Sequence, residues 1–231
     1  DLENPFAGIK RSQKIEPVAA LDRKIIDRIW KDLPLLRDGD PKAEEPNIKQ
    51  FKKTYRKKHG GNQPRWLPVD YRQSHPEAYC AILLGLGLGL RANEIDKSRW
   101  SWVKFDAKGD AFLEIGNEVD FKPKGGSLRV IRIPKELHEE LTRSRLDMAS
   151  LYILGGKASK SVEKNGWGYR CREVLRIVNE WLRERGVDAE ETRGNPLHRL
   201  RKQFGSEVAT GFGLFAAQKL LGHSSPMVTA K

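Results

Sequence analysis

Cysteine is scarce in this chain: only Cys80 and Cys171 occur among 231 residues. Both lie in apolar, helix-patterned surroundings, so no structural disulfide is expected, and a cysteine-built metal centre is excluded by count. A reducing, cytoplasmic compartment suits that usage. Long hydrophobic runs are absent too. The longest, Ala78 to Leu90, is broken by Gly85, Gly87 and Gly89 and falls short of the roughly 20 apolar residues that cross a bilayer. The opening Asp1-Leu2-Glu3-Asn4-Pro5 has no basic stretch followed by an apolar one, so it is not a signal peptide. It also lacks an initiator methionine, and the sequence reads as a fragment or processed chain. Nor is there a phosphate loop, because Gly85-Leu86-Gly87-Leu88-Gly89 follows no strand and lacks the spacing of a dinucleotide fingerprint. No metal and no cofactor are expected.

Acidic residues are outnumbered. Against 43 Lys+Arg stand 31 Asp+Glu, a formal net charge of +12. Such an excess suits a polyanionic partner, since each neutralised phosphate releases counterions and adds affinity. An anionic membrane surface would attract the same charge, but without a spanning run no membrane partner is expected.

Residues 1–20 carry Pro5 and Pro17 without a sustained period and read as a linker or arm, and residues 21–231 as the folded domain. Leu21 to Leu33 predicts a helix with Ile25, Ile26, Ile29, Trp30 and Leu33 on one face. Residues 37–66 form a charged excursion in which Lys52, Lys53, Arg56, Lys57 and Lys58 interleave with Phe51 and Tyr55. Two readings stand there, a solvated helix face and a phosphate-contacting patch. Residues 74–90 predict an apolar helix capped by Ser74, with Pro76 in its first turn and glycines that permit close packing. The period then becomes strand-like at 102–105, 111–115, 118–121 and 128–133, which together predict a three-stranded antiparallel sheet. Pro134 opens a helix to about Ala149, and another runs from Trp167 to Arg185, closed by Gly186. A loop through Pro196 leads into helices near 198–210 and 213–221. The fold class is α+β, mainly α.

His198 and Arg201 share a face near the start of a predicted helix, where free N–H groups favour an anion. Leu200 and Phe204 would hold that helix in the core, with His198 and Arg201 facing outward. Gly222 ends the following helix and presents His223, while Ser225 and Pro226 are suited to open another. Two imidazoles and a guanidinium could thus converge on one phosphate. Upstream, Arg91 sits where the chain turns after the apolar helix, and Glu94 could buttress a guanidinium or cap a helix. Each motif alone is weak, since H-x-x-R arises by chance in basic chains.

Taken in order, Gly89-Leu90-Arg91-x-x-Glu94, a basic hairpin, His198-x-Leu200-Arg201 and Leu221-Gly222-His223-Ser224-Ser225 resemble the catalytic domain of tyrosine recombinases, the phage-integrase family. The resemblance covers roughly residues 21–231. Asn4-Pro5-Phe6 is similar to that family's linker from its core-binding domain, which makes residues 1–20 an interdomain arm. The resemblance implies a site-specific recombinase or integrase that cuts and rejoins double-stranded DNA through a 3′-phosphotyrosyl intermediate, without metal or ATP. By the same resemblance Arg91 and Arg201 grip the non-bridging phosphate oxygens, His198 assists proton transfer near the nucleophile, and His223 donates to a phosphate oxygen. A hairpin lysine is the general acid. Lys124 is favoured and Lys122 stays open. Lys52, Lys53, Arg56, Lys57, Lys122 and Lys202 are the further DNA-contact candidates.

The family's nucleophilic tyrosine follows the L-G-H motif and would fall just past Lys231. Tyr55, Tyr71, Tyr79, Tyr152 and Tyr169 match no such motif. The resemblance therefore implies a monomeric fragment that binds DNA without cleaving it, from a full-length protein that is tetrameric on DNA in a bacterial nucleoid, phage or mobile element. Two departures stand out: Lys202 replaces a histidine common in relatives, and residues 37–66 exceed what a compact member needs. Two other readings remain. One is a type IB topoisomerase. The other is a non-catalytic DNA-binding or regulatory module, which would not need Arg91, His198, Arg201 and His223 to converge.

Overall fold

A computed structural model describes residues 21–64, 67–118, 120–123, 128–155, 168–187 and 195–223. The arm at 1–20, Lys124, Ser225 and Pro226 lie outside the described residues.

Helix α3 (Pro76–Leu88) is the axis of the domain, buried at every position from Ala78 to Leu86. A helix enclosed on all sides has no use for a polar face, which explains its unbroken apolar composition. Around it pack α1 (Arg23–Asp38), α5 (Lys135–Arg143), α6 (Arg172–Glu184) and α7 (Pro196–Phe212). The glycines of α3 set how closely these helices approach. A Cβ on Gly85 would lie 3.1 Å from the Leu197 side chain, and one on Gly87 would lie 2.9 Å from Leu137. At the far end Gly89 turns the chain with φ 62°, and short helix α4 (Ala92–Lys97) follows.

A three-stranded antiparallel sheet of order β1-β2-β3 covers one flank, formed by β1 (Val103–Phe105), β2 (Ala111–Ile115) and β3 (Arg129–Ile133). Its inner face carries Ala111, Leu113 and Ile115 from β2 and Ile131 and Ile133 from β3. Arg129 is in phase with Ile131 and Ile133, so it too points inward. Helix α8 (Leu214–Leu221) folds back on α7, where Phe204, Val208, Ala217 and Leu221 form a small second core.

Several boundaries differ from the sequence reading, each for a local reason. Helix α1 passes through Pro34 to Asp38 because Leu36 takes the next core position, while Trp30 is exposed rather than buried. The cap of α3 is His75 and not Ser74, with no side-chain cap bond; Pro76 at the first position has no N–H to satisfy. Glu118 and Phe121 form an isolated bridge with each other, outside the three strands of the sheet. Helix α5 stops at Arg143, and beyond it the Asp147 carboxylate accepts the Ala149 N–H at 2.8 Å, a local bond that competes with helix. Helix α6 starts at Arg172 because the N–H groups of Arg170 and Cys171 go to the buried Asp96 carboxylate, at 2.8 and 2.7 Å. Pro196 opens α7 instead of ending a loop. Both cysteines are buried and unpaired. Burial pushes their thiols up, to about 12 for Cys80 and about 11 for Cys171. Among the described residues no helix is long and apolar enough to cross a membrane.

Candidate functional site

Glu94 is the hub of the site. It sits on α4, 2% exposed, and three arginines from different elements surround it. One oxygen, Oε2, accepts the Arg91 backbone N–H at 2.7 Å and Nη2 of Arg129 at 2.6 Å. The other, Oε1, accepts Nη1 of Arg91 at 2.8 Å. Nη1 of Arg201 stands 3.8 Å from Oε2. Both roles that the sequence left open for Glu94 are thus filled: it closes the first turn of α4 and braces guanidiniums. Burial alone would raise its carboxyl. The charges of Arg129, Arg201 and Arg91, with the Arg91 N–H, outweigh that and hold it below the usual carboxylate range.

Arg201 does not face outward as the helix pattern suggested; it is 2% exposed. From α7 it donates Nη1 to the Gly89 carbonyl and Nη2 to the Leu221 carbonyl. Arg129 donates Nη1 to the same Leu221 carbonyl at 2.6 Å. That oxygen lies in the last turn of α8, where helix carbonyls lack internal partners and carry the negative end of the helix dipole. Two guanidiniums therefore anchor the end of α8. Gly222 then adopts φ 61° and turns the chain so that His223 lies over Arg201, with Nε2 3.3 Å from Nη2 of Arg201. The main chain of His223 is held on both sides, its N–H by the Gln218 carbonyl and its carbonyl by Nε2 of Gln218.

Three guanidiniums face one carboxylate in this pocket, so the cluster keeps an excess of positive charge in a low-dielectric setting. Burial, together with Arg91 and Arg129, pushes Arg201 down to about 9, where it remains charged at neutral pH. Burial also depresses His223, to about 4, aided by Arg201, Arg91, Arg129 and nearby His198. A guanidinium cannot accept a hydrogen bond, so Nε2 of His223 receives one from Arg201 and the ring is neutral. Such a cluster, open at Arg91 and His198, is preorganised for an anion that would balance its charge.

Arg91, Arg201, His198 and His223 are thus gathered at one place, where the C-terminal end of α3, the start of α7 and the end of α8 meet. Arg129 completes them, and sequence reading missed it. Its only signal was the two-residue period that puts an arginine on the inward side of a strand. The other candidates lie elsewhere. Lys122 is exposed just after Phe121, and Lys124 is outside the described residues. Lys202 is half-buried on α7. Lys52, Lys53, Arg56 and Lys57 ride on α2 (Ile48–Lys58), which buries no residue. The base of that excursion is tied at the N-terminal end of α3: the Asp40 N–H donates to the Tyr71 carbonyl and the His75 N–H to the Leu36 carbonyl, both at 2.8 Å. Along the axis of α3 that base stands about 20 Å from the arginine cluster.

Two solved structures share this fold over 96% of the chain. One is the XerH site-specific recombinase bound to palindromic difH substrate, a post-cleavage complex, at 15% identity and a TM-score of 0.55, matched over 51% of its length. The other is XerH bound to difH substrate, a pre-cleavage complex, at 15% identity and a TM-score of 0.54, matched over 52% of its length. The chain spans about half the length of these structures. The fold is that of the tyrosine-recombinase catalytic domain. No family model and no curated protein matches the sequence.

Proposed function

We propose that this domain is the catalytic part of a site-specific DNA recombinase or integrase, and that its arginine cluster holds the scissile phosphate of double-stranded DNA. The observation that carries the reading is that Arg91 and Arg201 converge on Glu94 while His223, with His198 nearby, lies against Arg201, from segments far apart in sequence. A module that only bound DNA would have no need of that convergence. The difH complexes of the XerH relatives lend the same fold a DNA substrate.

In this reading Arg91 meets a non-bridging oxygen directly, and Arg201 forms the floor, its charge acting from beneath. Fixed guanidiniums gain strength as negative charge grows on a phosphorus that becomes five-coordinate, and losing one such donor typically lowers rates by about 100- to 1000-fold. His223 is neutral while the site is empty. A phosphate arriving beside it adds negative charge, favours the imidazolium and lets the ring donate to an oxygen. His198, at the start of α7, assists proton transfer to or from the attacking group. Lys122 and Lys124 remain the candidates for protonating the leaving 5′ oxygen. Two of the described tyrosines have their hydroxyls engaged elsewhere: that of Tyr79 donates to Glu140 at 2.6 Å and that of Tyr152 to Asp120 at 2.9 Å.

The test is covalent capture on a nicked duplex that traps the protein–DNA intermediate. A chain extended past Lys231 to supply a tyrosine should form an adduct on its cognate site that survives denaturing electrophoresis. Arg91→Ala should abolish it. A folded, tyrosine-bearing protein that forms no adduct there would sink the recombinase reading and leave a DNA-binding module.

A further inference from the structure

We infer that Arg129 is a positioning residue, whose guanidinium registers the β2–β3 hairpin against the arginine cluster by binding Glu94 and the last-turn carbonyl of α8 at once. The inference rests on the reading of that cluster as a phosphate site. Arg129 opens β3 and is 7% exposed. Its two terminal nitrogens reach separate elements, Nη2 to Glu94 and Nη1 to the Leu221 carbonyl, each at 2.6 Å. Glu94 orients Arg91, while Leu221 leads through Gly222 to His223. One side chain thereby fixes both residues proposed to touch the phosphate, without facing it.

The planar fork of a guanidinium is what allows two directed bonds from one residue; an ammonium offers the charge without that geometry. The contact is close. A Cβ on Gly222 would come within 3.3 Å of Nη1 of Arg129, so glycine there also makes room for the tie. Strand register matters as well, because a slip of one residue would turn Arg129 to the outer face.

The experiment compares the wild type with Arg129→Met, Arg129→Lys and a core control, Val178→Ala on α6. Two quantities are read: the titration of the His223 ring by NMR without DNA, and duplex affinity by fluorescence anisotropy at fixed salt. His223 faces Arg201, Arg91, Arg129 and His198. Arg129→Met removes one of these cations and should raise the His223 pKa, while weakening DNA binding by about tenfold or more. Arg129→Lys should leave the titration near its wild-type value yet fail to restore affinity, and Val178→Ala should change neither. The inference is overturned if Arg129→Met matches the wild type, if lysine restores full affinity, or if the core control reproduces both changes. Should Arg129→Met not fold, Arg129→Lys decides alone: lost affinity with an intact titration supports the role, and full affinity overturns it. A wild-type chain that binds no duplex overturns the phosphate reading itself. Wild-type binding with an unaffected Arg129→Met overturns only the role of Arg129.

Discussion

Glu94 holds three guanidiniums together, and removing its charge leaves them to repel one another in a buried site. Glu94→Gln is expected to cost about 3–5 kcal/mol, as for other buried pairs that lose one partner. Urea denaturation measures this, and a loss under about 1 kcal/mol would show that the cluster does not depend on its carboxylate. Acid provides an independent check. Glu94 is depressed in the fold, so the stability it adds is complete above the unfolded value near 4.3 and is lost as pH falls through the folded value. His223 shifts from an ordinary 6.5 to about 4, so the unfolded chain binds the extra proton between those values. Its contribution is therefore complete above about pH 6.5 and declines towards pH 4. The two act in the same direction. The urea midpoint should fall from pH 6.5 downward, and His223→Ala should flatten the upper part of that fall. At this scale the sequence was an uneven guide. The motifs singled out Arg91, His198, Arg201 and His223, which the fold brings near one another, and both roles of Glu94 were foreseen. The inward turn of Arg201 was not, because helical phase gives the face of a residue but not which neighbour covers it.

Elements bring these side chains together, and Gly89 sets one close approach. Gly89 has φ 62°, and a Cβ there would lie 2.3 Å from the Phe204 ring. Gly89→Ala should therefore cost about 1–2 kcal/mol for the left-handed backbone and about 1–3 kcal/mol for overpacking. It should also displace the carbonyl that Arg201 uses. Thermal unfolding with a parallel DNA titration reads both effects, and a variant as stable and as tight-binding as the wild type would contradict this packing. Helix positions were mostly legible because the 3.6-residue period is strong in α1, α5 and α6. Their ends were not, because distant carboxylates decide them. Asp96 claims the N–H groups ahead of α6, a contact spanning more than 70 residues, and nothing local announces it. The sheet was foreseen in kind, but Glu118 and Phe121 pair with each other rather than joining it.

For the whole molecule, charge and shape separate two basic regions. The arginine cluster lies at one end of α3, and the excursion bearing Lys52, Lys53, Arg56 and Lys57 is tied at the other. Changing these four residues to alanine should leave binding of a short duplex that covers only the cluster unchanged. With a long duplex, the slope of log affinity against log salt should fall by up to about 3.6 if all four reach phosphates. An equal loss on short and long duplexes would mean that the two regions act as one surface. The net charge of +12 suits an anionic partner, and part of the basic excess stands apart from the cluster, because α2 contributes basic residues without burying any. The most direct test of the central claim is duplex affinity, by fluorescence anisotropy at one fixed salt concentration, for the wild type, Arg91→Ala and His223→Ala, each confirmed folded. If the cluster holds a DNA phosphate, each substitution weakens binding by about tenfold or more. Wild-type affinity in both variants would contradict it.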